Sequence, residues 1–190
     1  MKNARCLFTL SLGCLLAAAP AASPAQGMGQ MSGMAQTDKK PLPSPPADAM
    51  VTLEGKAVSI HYNAPSMRGR AIMGGLVPYG KVWRTGANPA TLFKTATDLK
   101  IGGTMVPAGT YTLYTLPSEG TWKLIVNKQT GQWGTEYNEP QDLARIDMKK
   151  STLSTPQELM SISFEKTHGK STELHVRWEK TDVWVPVVAQ

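Results

Sequence analysis

Cysteine is nearly absent from this chain: its only two, Cys6 and Cys14, both precede Leu15. Whatever follows cannot be a disulfide-stapled scaffold, use a thiol nucleophile or hold a metal through thiolates. Long apolar runs are also missing after the start, since no later stretch approaches the roughly 20 apolar residues of a membrane-spanning helix. The usual catalytic signatures are missing too. There is no GxSxG elbow, no HExxH and no phosphate-binding glycine loop ending in GK[ST]. Excess charge is modest, at +6, and lysines are interspersed among acids, so there is no basic stripe of the kind that binds nucleic acid.

The beginning of the chain has the character of an export signal. Lys2 and Arg5 open it, an apolar stretch runs from Leu7 to Ala19, and small residues end in Ser23-Pro24-Ala25. Cleavage there would take two positive charges and both cysteines away, lowering the formal charge to +4. Leu12-Gly13-Cys14 also resembles the end of a lipid-attachment box. The apolar stretch before Cys14 is short, however, and Ser11 stands where that box carries an aliphatic residue. Residues 1–25 are therefore read as a signal peptide, and the protein as exported, periplasmic or secreted, in preference to a lipid-anchored one.

Residues 26–49 form a different segment, rich first in Met and then in Pro. With almost no other apolar residue it cannot offset its ordering entropy, and is expected to be a disordered tether. Met28, Met31 and Met34 recur every three residues. Thioethers suit Cu(I), which makes a weak periplasmic copper site one alternative; methionines incidental to a linker are the plainer reading.

From Met50 to Gln190 the pattern is that of a single β domain. Period-two alternation places Val58, Ile60 and Tyr62 on one side of a strand, and likewise Trp122, Leu124 and Val126, then Met160, Ile162 and Phe164, then Leu174, Val176 and Trp178, and finally Val183, Val185 and Val187. Gly102-Gly103, Ser118-Glu119-Gly120 and His168-Gly169-Lys170 read as tight links between antiparallel neighbours. The expected fold is all-β, an antiparallel two-sheet β-sandwich of eight to ten strands, jelly-roll-like or immunoglobulin-like, with a closed small barrel as the alternative. One short helical piece is expected, around Pro140 to Ala144 or near Arg68 to Met73. The segment from Ala64 to Thr91 interrupts the alternation. It is a long Gly/Pro-rich loop with too many large residues to be disordered, and is expected to fold over one end or face of the sheets.

That loop also carries a resemblance. GGLVPYGKVWRTGAN (74–88), with IGG and PAGTYTLYTLP (within 101–117), NKQTGQWG (127–134) and the closing LHVRWEKTDVWVPV, closely resembles the bacterial domain-of-unknown-function 2911 family. The likeness covers nearly all of the domain. It implies an exported single β domain, found mostly in bacterial envelopes, without an established activity. His61 before the tyrosine and the Met-rich tether depart from the usual pattern.

The residues themselves suggest a binding site in the loop 68–91. Arg84 could hold a carboxylate, sulfate or phosphate with its planar fork, Asn88 and Thr85 adding neutral donors and Trp83 or Tyr79 an aromatic wall. Trp133 could add a platform for a sugar. Arg84 could equally fix the loop by donating to backbone carbonyls, and Arg68 and Arg70 read as solvated or loop-fixing. Trp83, Trp122, Trp178 and Trp184 read as core. His61, His168 and His175 are too dispersed for a metal motif, with His61 and His175 on solvent-facing sides of their strands, so neither metal nor cofactor is expected. Asp142, Asp147, Glu136 and Glu139 could pair for glycosidase-like hydrolysis, but such spacing in a β protein more often marks a solvated face. The expectation is a non-enzymatic module for a small anionic or carbohydrate ligand, or for an envelope partner protein, with a carboxylate-dependent hydrolase as the alternative.

Overall fold

The computed structural model describes residues 43–190. The expected signal peptide, the methionines at 28, 31 and 34 and the tether up to residue 42 lie outside the described residues.

Among the described residues there are nine strands: β1 (Pro46–Leu53), β2 (Lys56–Asn63), β3 (Thr91–Thr95), β4 (Leu99–Ile101), β5 (Thr104–Val106), β6 (Gly109–Leu116), β7 (Trp122–Asn127), β8 (Asp142–His168) and β9 (Ser171–Ala189). Every pairing between these strands is antiparallel. The tight links lie where the glycine signals place them, Gly102-Gly103 between β4 and β5 and Gly169 between β8 and β9. All-β antiparallel architecture is thus what the described residues adopt. The hydrogen bonding does not divide the strands into two sheets, however. It joins them in one open sheet of order β1-β2-β3-β6-β7-β8-β9-β4-β5. The reason is the length of β8, which pairs with β7 through Asp142–Met148 and then continues beside β9.

The sheet curls around a single core. Ala49 and Leu53 from one edge strand share a buried cluster with Leu99 and Val106 from near the other. The alternating residues read from the sequence point into it: Val58, Ile60, Leu124, Val126, Met160, Trp178 and Val185 are all at most 1 % exposed. Burial of each such side chain contributes about 1.5–3 kcal/mol. In β9 the inward set changes from even to odd numbers between Trp178 and Val183. Glu179 makes that change, with a left-handed φ of 54° where the pairing with β8 shifts register.

Several expectations need correcting. β1 begins at Pro46, inside the segment assigned to the tether, because Ala47, Ala49 and Val51 already alternate toward the core and a proline is tolerated at the start of an edge strand. The helical piece is only one 3-10 turn, Glu139–Gln141, after which β8 starts at once. Trp184 is not in the core and His175 does not face water. Both lie on the outer face of β9, where their rings stack at 5.7 Å and His175 is only 4 % exposed. His175 is sealed by charge: Nδ1 lies 2.9 Å from Asp182 Oδ1 and Nε2 3.2 Å from Glu173 Oε2. Arg177 grips both oxygens of Glu165, and its Nε is 3.0 Å from Asp182 Oδ2, a charge contact without hydrogen-bond alignment. Lys149 Nζ covers the Trp184 ring at 4.4 Å.

Candidate functional site

The segment from Ala64 to Thr91 is fastened to the sheet along its length, as its apolar content predicts. Met67 N–H donates to the Glu158 carbonyl and Met160 N–H to that of Pro65, both at 2.9 Å. Met73 N–H donates to the Glu179 carboxylate at 3.2 Å. Trp83 and Thr115 exchange backbone hydrogen bonds of 2.8 and 2.9 Å, so Trp83 takes the place beside β6 that β3 leaves vacant. Arg68 donates to the Pro43 carbonyl, and Arg70 to those of Met67 and Ser66. These two arginines fix the loop, as read from the sequence.

Arg84 differs from them. Its Nε donates weakly, at 3.3 Å, to the Gly86 carbonyl, and among the described residues no carboxylate lies within ion-pair distance of it. What aims it is Thr85. A β-branched residue at a φ of 51° is a strained outlier. It is held there because its fully buried hydroxyl lies 3.1 Å from that of Thr115 and 3.3 Å from the Trp83 carbonyl. Thr91 Oγ1 ties down the carbonyls of Arg84 and Thr85, at 3.1 and 2.9 Å. The next wall comes from 88–90 running beside 132–134, through Ala90 N–H to the Gln132 carbonyl and Gly134 N–H to that of Asn88.

Two clefts flank this arrangement and share Val82, Trp83 and Arg84. The first, of about 340 Å³, is lined also by Arg70, Leu76, Pro78, Asn88, Ser44 and Trp178. Its aromatic floor is the half-buried ring of Trp83, which stacks on the buried Trp178 with centroids 5.8 Å apart and planes inclined by 17°. The second, of about 200 Å³, is walled by Tyr114, Tyr137, Gly134 and Thr135. Neither lining contains an acidic side chain.

Of the residues singled out from the sequence, Arg84, Trp83 and Asn88 meet in the first cleft. Thr85 supports it from beneath. Tyr79 packs against Gly74 and Trp133 projects half-exposed, and neither lines a cleft. Sequence reasoning missed Trp178 and the tyrosines of the second cleft. The signal for Tyr114 was present: GTYTLYTL puts tyrosines on both faces of one strand, as a strand covered on both sides requires.

The carboxylates considered for hydrolysis lie elsewhere. Asp142 accepts from Tyr137 OH at 2.5 Å, from Arg145 Nε at 2.8 Å and from Asn127 Nδ2 at 2.8 Å, while Asp147 pairs with Lys123 in the open. Burial, reinforced by the Asp142 hydrogen bond, pushes the Tyr137 hydroxyl up to about 12, so the second cleft stays neutral apart from Arg84. Among the described residues no group of His, Cys, Asp and Glu is arranged to hold a metal ion, and no helix is long and apolar enough to cross a membrane.

Residues 44–187 match the family model described as protein of unknown function, DUF2911. The chain belongs to that family. No curated protein and no solved structure matches it. The family match spans both clefts and everything that positions Arg84, from Ser44 to Trp178.

Proposed function

We propose that this member of the family is an exported binding module whose first cleft takes a small organic anion, with Arg84 gripping the anionic group and Trp83 lying against its body. One observation carries the reading: an arginine on a strained backbone in the wall of a cleft that Trp83 also lines, without an acidic residue there to neutralise it. A structural arginine would be engaged as Arg68 and Arg70 are. A planar cation beside an aromatic face favours carboxylates attached to rings. The export part rests on the character of residues 1–25.

The test is a thermal-shift comparison of N-acetylmuramic acid, glucuronic acid and benzoate with neutral glucose. The anions raise the unfolding midpoint and glucose does not, and Arg84→Lys abolishes the rise. A rise that survives in that variant, or none with any anion, overturns the reading.

A further inference from the structure

The second cleft is too small to be a site by itself. At about 200 Å³ it falls below the roughly 300–1,000 Å³ usual for ligand pockets, which the first cleft reaches alone. Yet it is walled by aromatic rings and shares Arg84 with its neighbour. Tyr114 and Tyr137 meet edge to face at 4.9 Å. Their hydroxyls are engaged, Tyr137 with Asp142 and Arg145, Tyr114 with Gln132 at 3.0 Å. Tyr114 is itself almost wholly buried, so what this space is offered is the half-buried ring of Tyr137, backed by Tyr114, rather than a hydrogen-bonding group.

Arg84 is held at the common wall by Gly134. A Cβ at position 134 would overlap Arg84 Cδ and stand 2.8 Å from the Asn88 carbonyl oxygen, so only glycine leaves the arginine its present course. Around the aromatic surfaces stand neutral polar residues, Ser44 and Asn88 on one side and Thr135 on the other. Aromatic faces with polar rims suit pyranose rings, which stack their C–H face and direct hydroxyls outward.

Resting on the reading above, we infer that the ligand is a two-ring sugar acid, its carboxylate at Arg84, one ring on Trp83 and the second in the tyrosine-walled cleft.

Tryptophan-fluorescence titration of the protein compares N-acetylmuramic acid with its disaccharide, in which N-acetylglucosamine supplies the second ring. The disaccharide binds about tenfold more tightly, the gain of one stacked ring. Thr135→Phe, at an exposed residue of the second cleft, fills that space and removes the gain. Equal affinities in the unaltered protein, or a gain that persists in Thr135→Phe, overturns the two-ring assignment while the Arg84 reading stands. If neither sugar acid binds but benzoate still does through Arg84, the sugar assignment alone fails. If no anion binds, both fall.

Discussion

Arg84 crosses the chain at Gly134 so closely that its side chain occupies the space of the missing Cβ. The side chain could swing away from a methyl group, but the Asn88 carbonyl is part of the pairing that closes the cleft. Gly134→Ala is expected to cost about 1–3 kcal/mol through overpacking and to weaken anion binding by turning Arg84 aside. Urea denaturation with and without ligand measures both. An unchanged midpoint would show that this crossing is loose.

Arg84→Lys removes a single weak backbone hydrogen bond, so its stability cost is expected to stay below about 1 kcal/mol. Arg70, with two backbone acceptors, sets the contrast: Arg70→Ala should lose more. Chemical denaturation of the two variants side by side decides this, and the reverse order would make Arg84 the structural residue.

The hairpin between β4 and β5 separates two kinds of glycine. Both have left-handed φ values, 55° and 93°, but a Cβ on Gly102 would overlap Ile146 and stand 2.9 Å from Val185 Cγ2, whereas Gly103 has open space. Gly103→Ala should cost about 1–2 kcal/mol for conformation alone, and Gly102→Ala distinctly more. Equal midpoints for the two variants would refute the packing argument.

Acid should loosen the outer face of β8 and β9. The Arg177 guanidinium beside Glu165, and Lys166 beside Glu173, hold those carboxyls below the ordinary range. Their stabilisation is therefore complete above the unfolded-state value of about 4.3 and disappears as pH falls through the lower folded values. Urea midpoints recorded from about pH 5 downward should fall steeply across that range, and less steeply in Glu165→Gln. Parallel curves would indicate that the pair contributes nothing.

The sheet was legible in the sequence because its strands are half-buried, and residues such as Ile60, Leu124 and Val185 declare their face by spacing alone. Spacing cannot reveal what covers the other face. His175 looked solvent-exposed because its neighbours Leu174 and Val176 point inward, yet Glu173, Asp182 and Trp184 of the same strand seal it, the last two from beyond the irregularity at Glu179. The same limit hid the sheet's continuity, since nothing local marks β8 as one strand serving two partners. At the site, Arg84, Trp83 and Asn88 were visible as a concentration of binding residue types. Trp178 and Tyr137 were not, because they reach the clefts from distant parts of the chain.

The change of parity at Glu179 has a consequence for how β9 tolerates alteration. Within residues 179–182 the number of residues matters more than their identity. Removing one would rotate everything downstream by half a turn, sending Val183, Val185 and Val187 into water and driving Trp184 and Pro186 toward the core. Because Leu99 and Ile101 pair with this last part of β9, the far edge of the sheet would lose its register too. A deletion of one residue there should be far more damaging than any exchange of side chains, and a compensating insertion before Val183 should restore the fold.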